Sequence, residues 1–238
     1  MTPSINTSPI ILAVDTRDFD TARAWIDSTR DHVGVYKLGL EFFLTFGAEG
    51  VGAIKREFDV DIFLDLKLHD IPNTVASAAK AISAINPRFL TVHASGGSAM
   101  IKAAVEAVPH IDITAVTILT SLSEDDLFEI GFAQNAMESV VALADLSVRS
   151  GAKAIVSSPL EIEAIRSSVG ESPTIITPGV RPAGSAGADD QIRTMTPREA
   201  ISAGANFVVI GRPITSSWSE GAAAMSEKAK AIVAEIAG

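Results

Sequence analysis

No cysteine occurs among the 238 residues, which excludes disulfides, thiolate metal sites and thiol nucleophiles together. No apolar run approaches the ~18–20 residues of a membrane span. No basic tract offsets the acidic surplus. Lys and Arg number 19 against 29 Asp and Glu, a formal net charge of −10, which makes the chain a poor partner for nucleic acid. It can still hold an anionic small molecule if its few cations converge on one pocket. The start, Met1 to Pro9, lacks the basic-then-apolar plan of a signal peptide and reads as a loose tail before the first strand. The expectation is a cytoplasmic protein without membrane or nucleic-acid partners. What is present is material for a core: 47% of the residues are hydrophobic. The length fits one domain over 1–238, close to the ~250 residues of a closed α/β barrel.

Eight short runs rich in Val, Ile, Leu and Phe read as strands, near 10–14, 34–38, 61–65, 89–93, 112–117, 153–156, 174–177 and 206–210. Helical spacing falls between them, in 72–85, 97–108, 134–150 and about 216–236. Ser158-Pro159-Leu160-Glu161 and Thr196-Pro197-Arg198-Glu199 each match a capping box with Pro at the first helical position. Gly151 and Gly204 fit left-handed helix stops, each leading into a similar strand phrase. Strict strand–helix alternation implies parallel strands, and eight repeats fit a (β/α)₈ TIM barrel. An open doubly wound sheet is the rival, disfavoured by the lack of a Gly-x-Gly-x-x-Gly turn after the first strand.

Barrels place function at the C-terminal ends of their strands. Nearly every proposed strand here ends in something polar: Asp15, Lys37, Asp65 with Lys67, His93, Thr117 to Ser121, Thr177 to Arg181, and Gly211-Arg212. Strand six offers only Ser157 and Ser158, which fit capping. Each residue has a bland reading as well. Asp15 fits a loop, Lys37 a snorkelling strand end, Asp70 a residue that favours a helix N-terminus, and His93 a core histidine. Thr120 and Ser121 fit the start of a short helix near 123–129, and Arg212 fits the surface. The stretch 181–191, small and without an apolar anchor, fits either a surface loop or a lid hinged at Arg181 and Gln191.

The sharpest signal is 62–74, where Asp65, Lys67 and Asp70 interrupt an otherwise apolar run. Alternation along a strand puts Asp65 and Lys67 on one face. Burying charge is costly unless it is paired, so a carboxylate beside an ammonium at a core strand's end marks an electrostatic device.

Asp-Leu-Lys-Leu-His-Asp-Ile-Pro-Asn-Thr, 65–74, closely resembles the signature of the orotidine 5′-phosphate decarboxylase family in its bacterial form. Leu-Ala-Val-Asp (12–15), Tyr-Lys-Leu-Gly (36–39), Val-Thr-Ile-Leu-Thr-Ser (116–121), Thr-Pro-Gly-Val-Arg-Pro (177–182) and Val-Ile-Gly-Arg-Pro-Ile-Thr (209–215) match it in order. The likeness spans about residues 10–217. It implies a TIM-barrel homodimer that converts orotidine 5′-monophosphate to UMP and carbon dioxide with no metal or organic cofactor. By the motif, Lys67 is the proton donor, and Lys37, Asp65 and Asp70 complete an alternating charge array. Asp70 and Thr74 reach into the partner subunit's site. The resemblance further assigns Asp15 and Lys37 to the ribose hydroxyls, Thr120 to the pyrimidine, and Arg181, Gln191, Gly211 and Arg212 to the phosphate. Sister sugar-phosphate enzymes share Asp-x-Lys-x-x-Asp but use magnesium with a carboxylate at the end of strand two, where this chain has Lys37.

Overall fold

Strands β1 (Ile10–Ala13), β2 (Val35–Gly39), β3 (Asp61–Leu68), β4 (Phe89–His93), β5 (Asp112–Val116), β6 (Ala154–Val156), β7 (Thr174–Thr177) and β8 (Phe207–Ile210) pair in chain order in a computed structural model. The structure describes residues 7–182 and 195–238. All pairs are parallel, and β1 closes on β8 through Ile10↔Val208, Ile11↔Val209 and Leu12↔Ile210. That closure removes the open-sheet rival. Between the strands lie α1 (Phe19–Thr29), α2 (Leu40–Phe58), α3 (Pro72–Ile82), α4 (Gly97–Ala107), α5 (Glu124–Glu129), α6 (Ala136–Arg149), α7 (Ile162–Val169) and α8 (Pro197–Ser202). After β8 come α9 (Arg212–Thr215) and α10 (Ala222–Ala237). None of the described helices is long and apolar enough to cross a membrane. Within the expected tail, Pro9 already joins the barrel: its carbonyl accepts the Val208 N–H at 2.9 Å.

Parallel strands are covered on both faces, and the two-residue period sorts their side chains. Ile10, Leu12, Tyr36, Leu38, Ile62, Leu64 and Leu90 face the helices. Ile11, Val35, Phe63, Phe89, Ala154 and Ile176 fill the barrel's inside. Phe89 meets Phe63 and Phe207 edge-on, each pair with ring centres 5.9 Å apart. The Arg88 guanidinium lies 4.9 Å from the Phe89 ring centre and 5.1 Å from that of Phe207, and its Nη1 donates to Asp61 at 3.0 Å. The N-terminal end of the barrel is therefore stoppered. Continuing the inward period toward the other end gives Lys37 after Val35, Asp65 after Phe63, Thr91 after Phe89 and Val156 after Ala154. The positions that fill the floor thus pass directly into those that face the mouth.

The chain's single tyrosine, Tyr36, is fully buried and ties β2 to α1 by donating to the Ile26 carbonyl at 3.2 Å and pairing with Thr29 Oγ1 at 3.0 Å. Burial pushes its phenol well above the ordinary value. Gly151 and Gly204 stop their helices at φ +96° and +112°. The Thr196–Glu199 capping box forms, with both reciprocal bonds present. The expected Ser158–Glu161 box does not. Residues 159–161 wind as a 3₁₀ turn, Ser158 Oγ accepts from the Leu160 N–H at 3.4 Å, and Glu161 is buried. The tighter turn presents the second amide to the serine, not the third. An unforeseen box, Ser123 with Asp126, begins α5.

Candidate active site

Four charges line up at the C-terminal mouth. Lys37, on β2, donates from Nζ to Asp15 Oδ1 at 3.1 Å and lies 3.9 Å from Asp65 Oδ2. Lys67 Nζ is 2.8 Å from both oxygens of Asp65. The order Asp15–Lys37–Asp65–Lys67 alternates in sign, so each inner charge is compensated on either side. Gly39 permits this crowding, because a Cβ there would stand 3.1 Å from Lys37 Nζ.

Regular alternation is not what brings Lys67 to Asp65. Leu64 pairs with Leu90 but Leu68 pairs with Val92, so Asp65, Leu66 and Lys67 all stand opposite Thr91. This bulge takes Lys67 into the left-handed region at φ +49°, a conformation that costs a residue with a Cβ about 1–2 kcal/mol. The bulge also corrects the expected end of β3, which runs on to Leu68. Thr91 fills the gap. Its Oγ1 accepts the Lys67 N–H at 2.7 Å and donates to Asp65 Oδ1 at 3.1 Å.

A cavity of about 290 Å³ opens over these groups, with Lys37, Asp65 and Lys67 on one side and Val116, Ile118, Leu119, Thr120 and Val156 among its other walls. One side is charged and the other apolar, which suits a ligand with an anionic group on a flat ring. Ser157 also lines it, almost fully buried, with no hydrogen-bond partner for its hydroxyl among the described residues. The helix cap is Ser158 alone. Among the described residues, no group of three His, Asp or Glu side chains is arranged to hold a metal ion.

The other expected site residues are placed as follows. Thr120 is in the cavity wall. Asp70 and Thr74 are exposed and absent from that wall; Asp70 Oδ1 accepts its neighbour Ile71's N–H at 2.6 Å. Gly211 and Arg212 follow β8 beside β1, and a Cβ on Gly211 would sit 3.4 Å from that of Ala13. Arg181 N–H donates to the Met195 carbonyl at 2.9 Å, and a bridge pairs Val180 with Met195. These contacts hold Val180 and Arg181 beside Met195. Gln191 lies outside the described residues, as do Met1 to Asn6. His93 is half-buried with its ring 5.4 Å from that of His69. Burial, then His69 and Lys67, hold its pKa below the ordinary value, with Asp65 opposing them.

Thr91, Ser157 and Gly39 do not stand out as site residues in the sequence. Thr91 carries one signal, since it lies two residues beyond Phe89 on the inward face of β4. A lone threonine inside an apolar strand simply does not announce a role.

The chain matches the family model described as orotidine 5′-phosphate decarboxylase / HUMPS family over residues 8–226. It is 49% identical over 217 residues to the orotidine 5′-phosphate decarboxylase of Thermobifida fusca, covering 91% of this chain and 93% of that protein. To the enzyme of the same name from the Wolbachia of Culex pipiens it is 48% identical over 212 residues, covering 88% and 92%. The crystal structure of orotidine 5′-phosphate decarboxylase from Lactobacillus acidophilus superposes with a TM-score of 0.83 at 33% identity, covering 97% of this chain and all of that one.

Proposed function

The chain belongs to the orotidine 5′-phosphate decarboxylase / HUMPS family, and on that premise we propose that it decarboxylates orotidine 5′-monophosphate to UMP in pyrimidine biosynthesis. The observation that carries the reading is the alternating row Asp15–Lys37–Asp65–Lys67 beside an apolar-walled cavity.

The chemistry calls for such a row. Breaking the bond between ring carbon six and the carboxylate releases carbon dioxide and leaves the electron pair on carbon six with little resonance relief. An ammonium beside that carbon stabilises the developing charge and supplies the proton that replaces the carboxylate. Lys67 is assigned both roles. One of its N–H bonds breaks, a C–H bond forms, and the resulting amine regains its proton from water. Asp65 holds the Lys67 ammonium with both carboxylate oxygens at 2.8 Å. Lys37 already stands between Asp15 and Asp65, and its ammonium repels a divalent cation there, which supports a reaction without metal. Asp15 and Lys37 are assigned to the ribose hydroxyls, Thr120 to the pyrimidine, and Arg181, Gln191, Gly211 and Arg212 to the phosphate.

Asp70 and Thr74 are assigned to the site of a second copy in a homodimer. Their exposure supports this, as does the adjacent Ile71, a large apolar side chain left 66% exposed. The working location is the cytoplasm, with its pyrimidine nucleotide pools.

The test is to mix the purified protein with orotidine 5′-monophosphate and follow its ultraviolet absorbance, with UMP and carbon dioxide measured in equal amounts. Lys67→Ala is expected to fold normally and to lose at least about 10³-fold in kcat, since it removes both the proton donor and the cation. Unchanged substrate with the wild-type protein, or near-normal turnover by Lys67→Ala, overturns the reading. Activity abolished by a chelator returns the magnesium-dependent sister enzymes.

A further inference from the structure

We propose that Thr91 is a positioning residue for the decarboxylation, one buried hydroxyl that fixes the backbone of Lys67 and the carboxylate of Asp65 together; the inference rests on Lys67 being the proton donor. The bulge in β3 creates the need. A parallel strand normally gives each amide a carbonyl on its neighbour, but here Asp65, Leu66 and Lys67 share the single opposing residue Thr91. The Lys67 amide therefore takes a side-chain acceptor, Thr91 Oγ1, at 2.7 Å. The same oxygen spends its one proton on Asp65 Oδ1 at 3.1 Å. Thr91 is fully buried, so water does not reach its hydroxyl. By contrast Thr114, on the adjacent strand, turns its hydroxyl back to the Asp112 carbonyl of its own strand.

Two degrees of freedom are thereby removed. The first is the left-handed backbone of Lys67 at φ +49°, which sets where its side chain starts. The second is rotation of the Asp65 carboxylate, which must face Lys67 with both oxygens to make the paired 2.8 Å contacts. A proton donor misplaced by about 1 Å loses on the order of a hundredfold in rate. The Thr91 hydroxyl bonds to Lys67 and Asp65, not to the residues assigned to ribose, pyrimidine and phosphate. Its loss should fall on kcat and spare binding.

Thr91→Val keeps the shape and deletes the hydroxyl, whereas Thr91→Ser keeps the hydroxyl and deletes a methyl. Thr91→Val is expected to lower kcat about tenfold to a hundredfold, with KM for orotidine 5′-monophosphate and Kd for UMP within about threefold of wild type. Thr91→Ser should retain most of kcat, although it leaves the larger packing defect. Wild-type kcat in Thr91→Val, equal loss in both variants, or a parallel loss of UMP affinity overturns the proposal. If Thr91→Val does not fold, Thr91→Ala carries the same comparison. Failure of both to fold assigns Thr91 to stability alone and also overturns it. An inactive wild-type protein is a different result, and it strikes the decarboxylase reading itself.

Discussion

Lys37 and Asp65 are the most enclosed members of the charged row, with side chains 14% and 12% exposed. Charges so withdrawn from water persist only when paired, and each of these has an opposite charge on both sides. Removing any one deprives a neighbour of a counter-charge, so single substitutions in the row disturb more than the deleted contact. His93, beside the row, reports on the same field. Because its pKa lies below the ordinary imidazole value in the folded protein, the unfolded chain binds its proton first as pH falls. The stability His93 contributes as a neutral ring is complete above the unfolded value of about 6.5 and is lost as pH drops toward the folded value. His93→Gln cannot titrate there. Its melting temperature should therefore fall less than that of wild type between about pH 7.5 and about pH 5.5. Identical slopes in thermal unfolding across that range would show that the site does not hold the ring neutral.

Within single elements, the sequence exposes periodicity and hides irregularity. All eight strands fall within a few residues of where their Val, Ile and Leu runs put them, because burial on both faces leaves little latitude. The bulge at Lys67 is different. It is set by what β4 places opposite, a long-range fact that local spacing does not carry. The Asp65–Lys67 pairing was legible, but the reason for it was not. Nor does local spacing mark the kink in α2 at Gly47, at φ 64° and ψ −168°. Only glycine occupies that region readily, and a Cβ there would meet nothing within 4 Å. The cost of a side chain is thus purely one of backbone strain. Gly47→Ala should destabilise the protein by about 1–3 kcal/mol, read from the denaturation midpoint. An unchanged midpoint would mean that the kink relaxes into a continuous helix without loss.

For the molecule as a whole, barrel closure was legible as a count of eight strand–helix units, and most of the site as polar residues at their ends. Asp70 is exposed and lies outside its own chain's cavity, so its proposed catalytic role calls for a second copy of the chain. In the proposed homodimer each site draws Lys67 from one subunit and Asp70 from the other. Lys67→Ala and Asp70→Ala should each be nearly inactive as pure dimers. Subunits of the two kinds, unfolded and refolded together, should regain turnover, since a hybrid contains one site with both residues intact. Absence of recovery in a mixture shown to contain hybrids would place Asp70 outside the neighbouring site. The aromatic stopper bears on traffic. With Phe63, Phe89, Phe207 and the Arg88 guanidinium closing the floor, the barrel is a vessel with one doorway. On the proposed reaction, gas and nucleotide both leave by the mouth through which the nucleotide arrived.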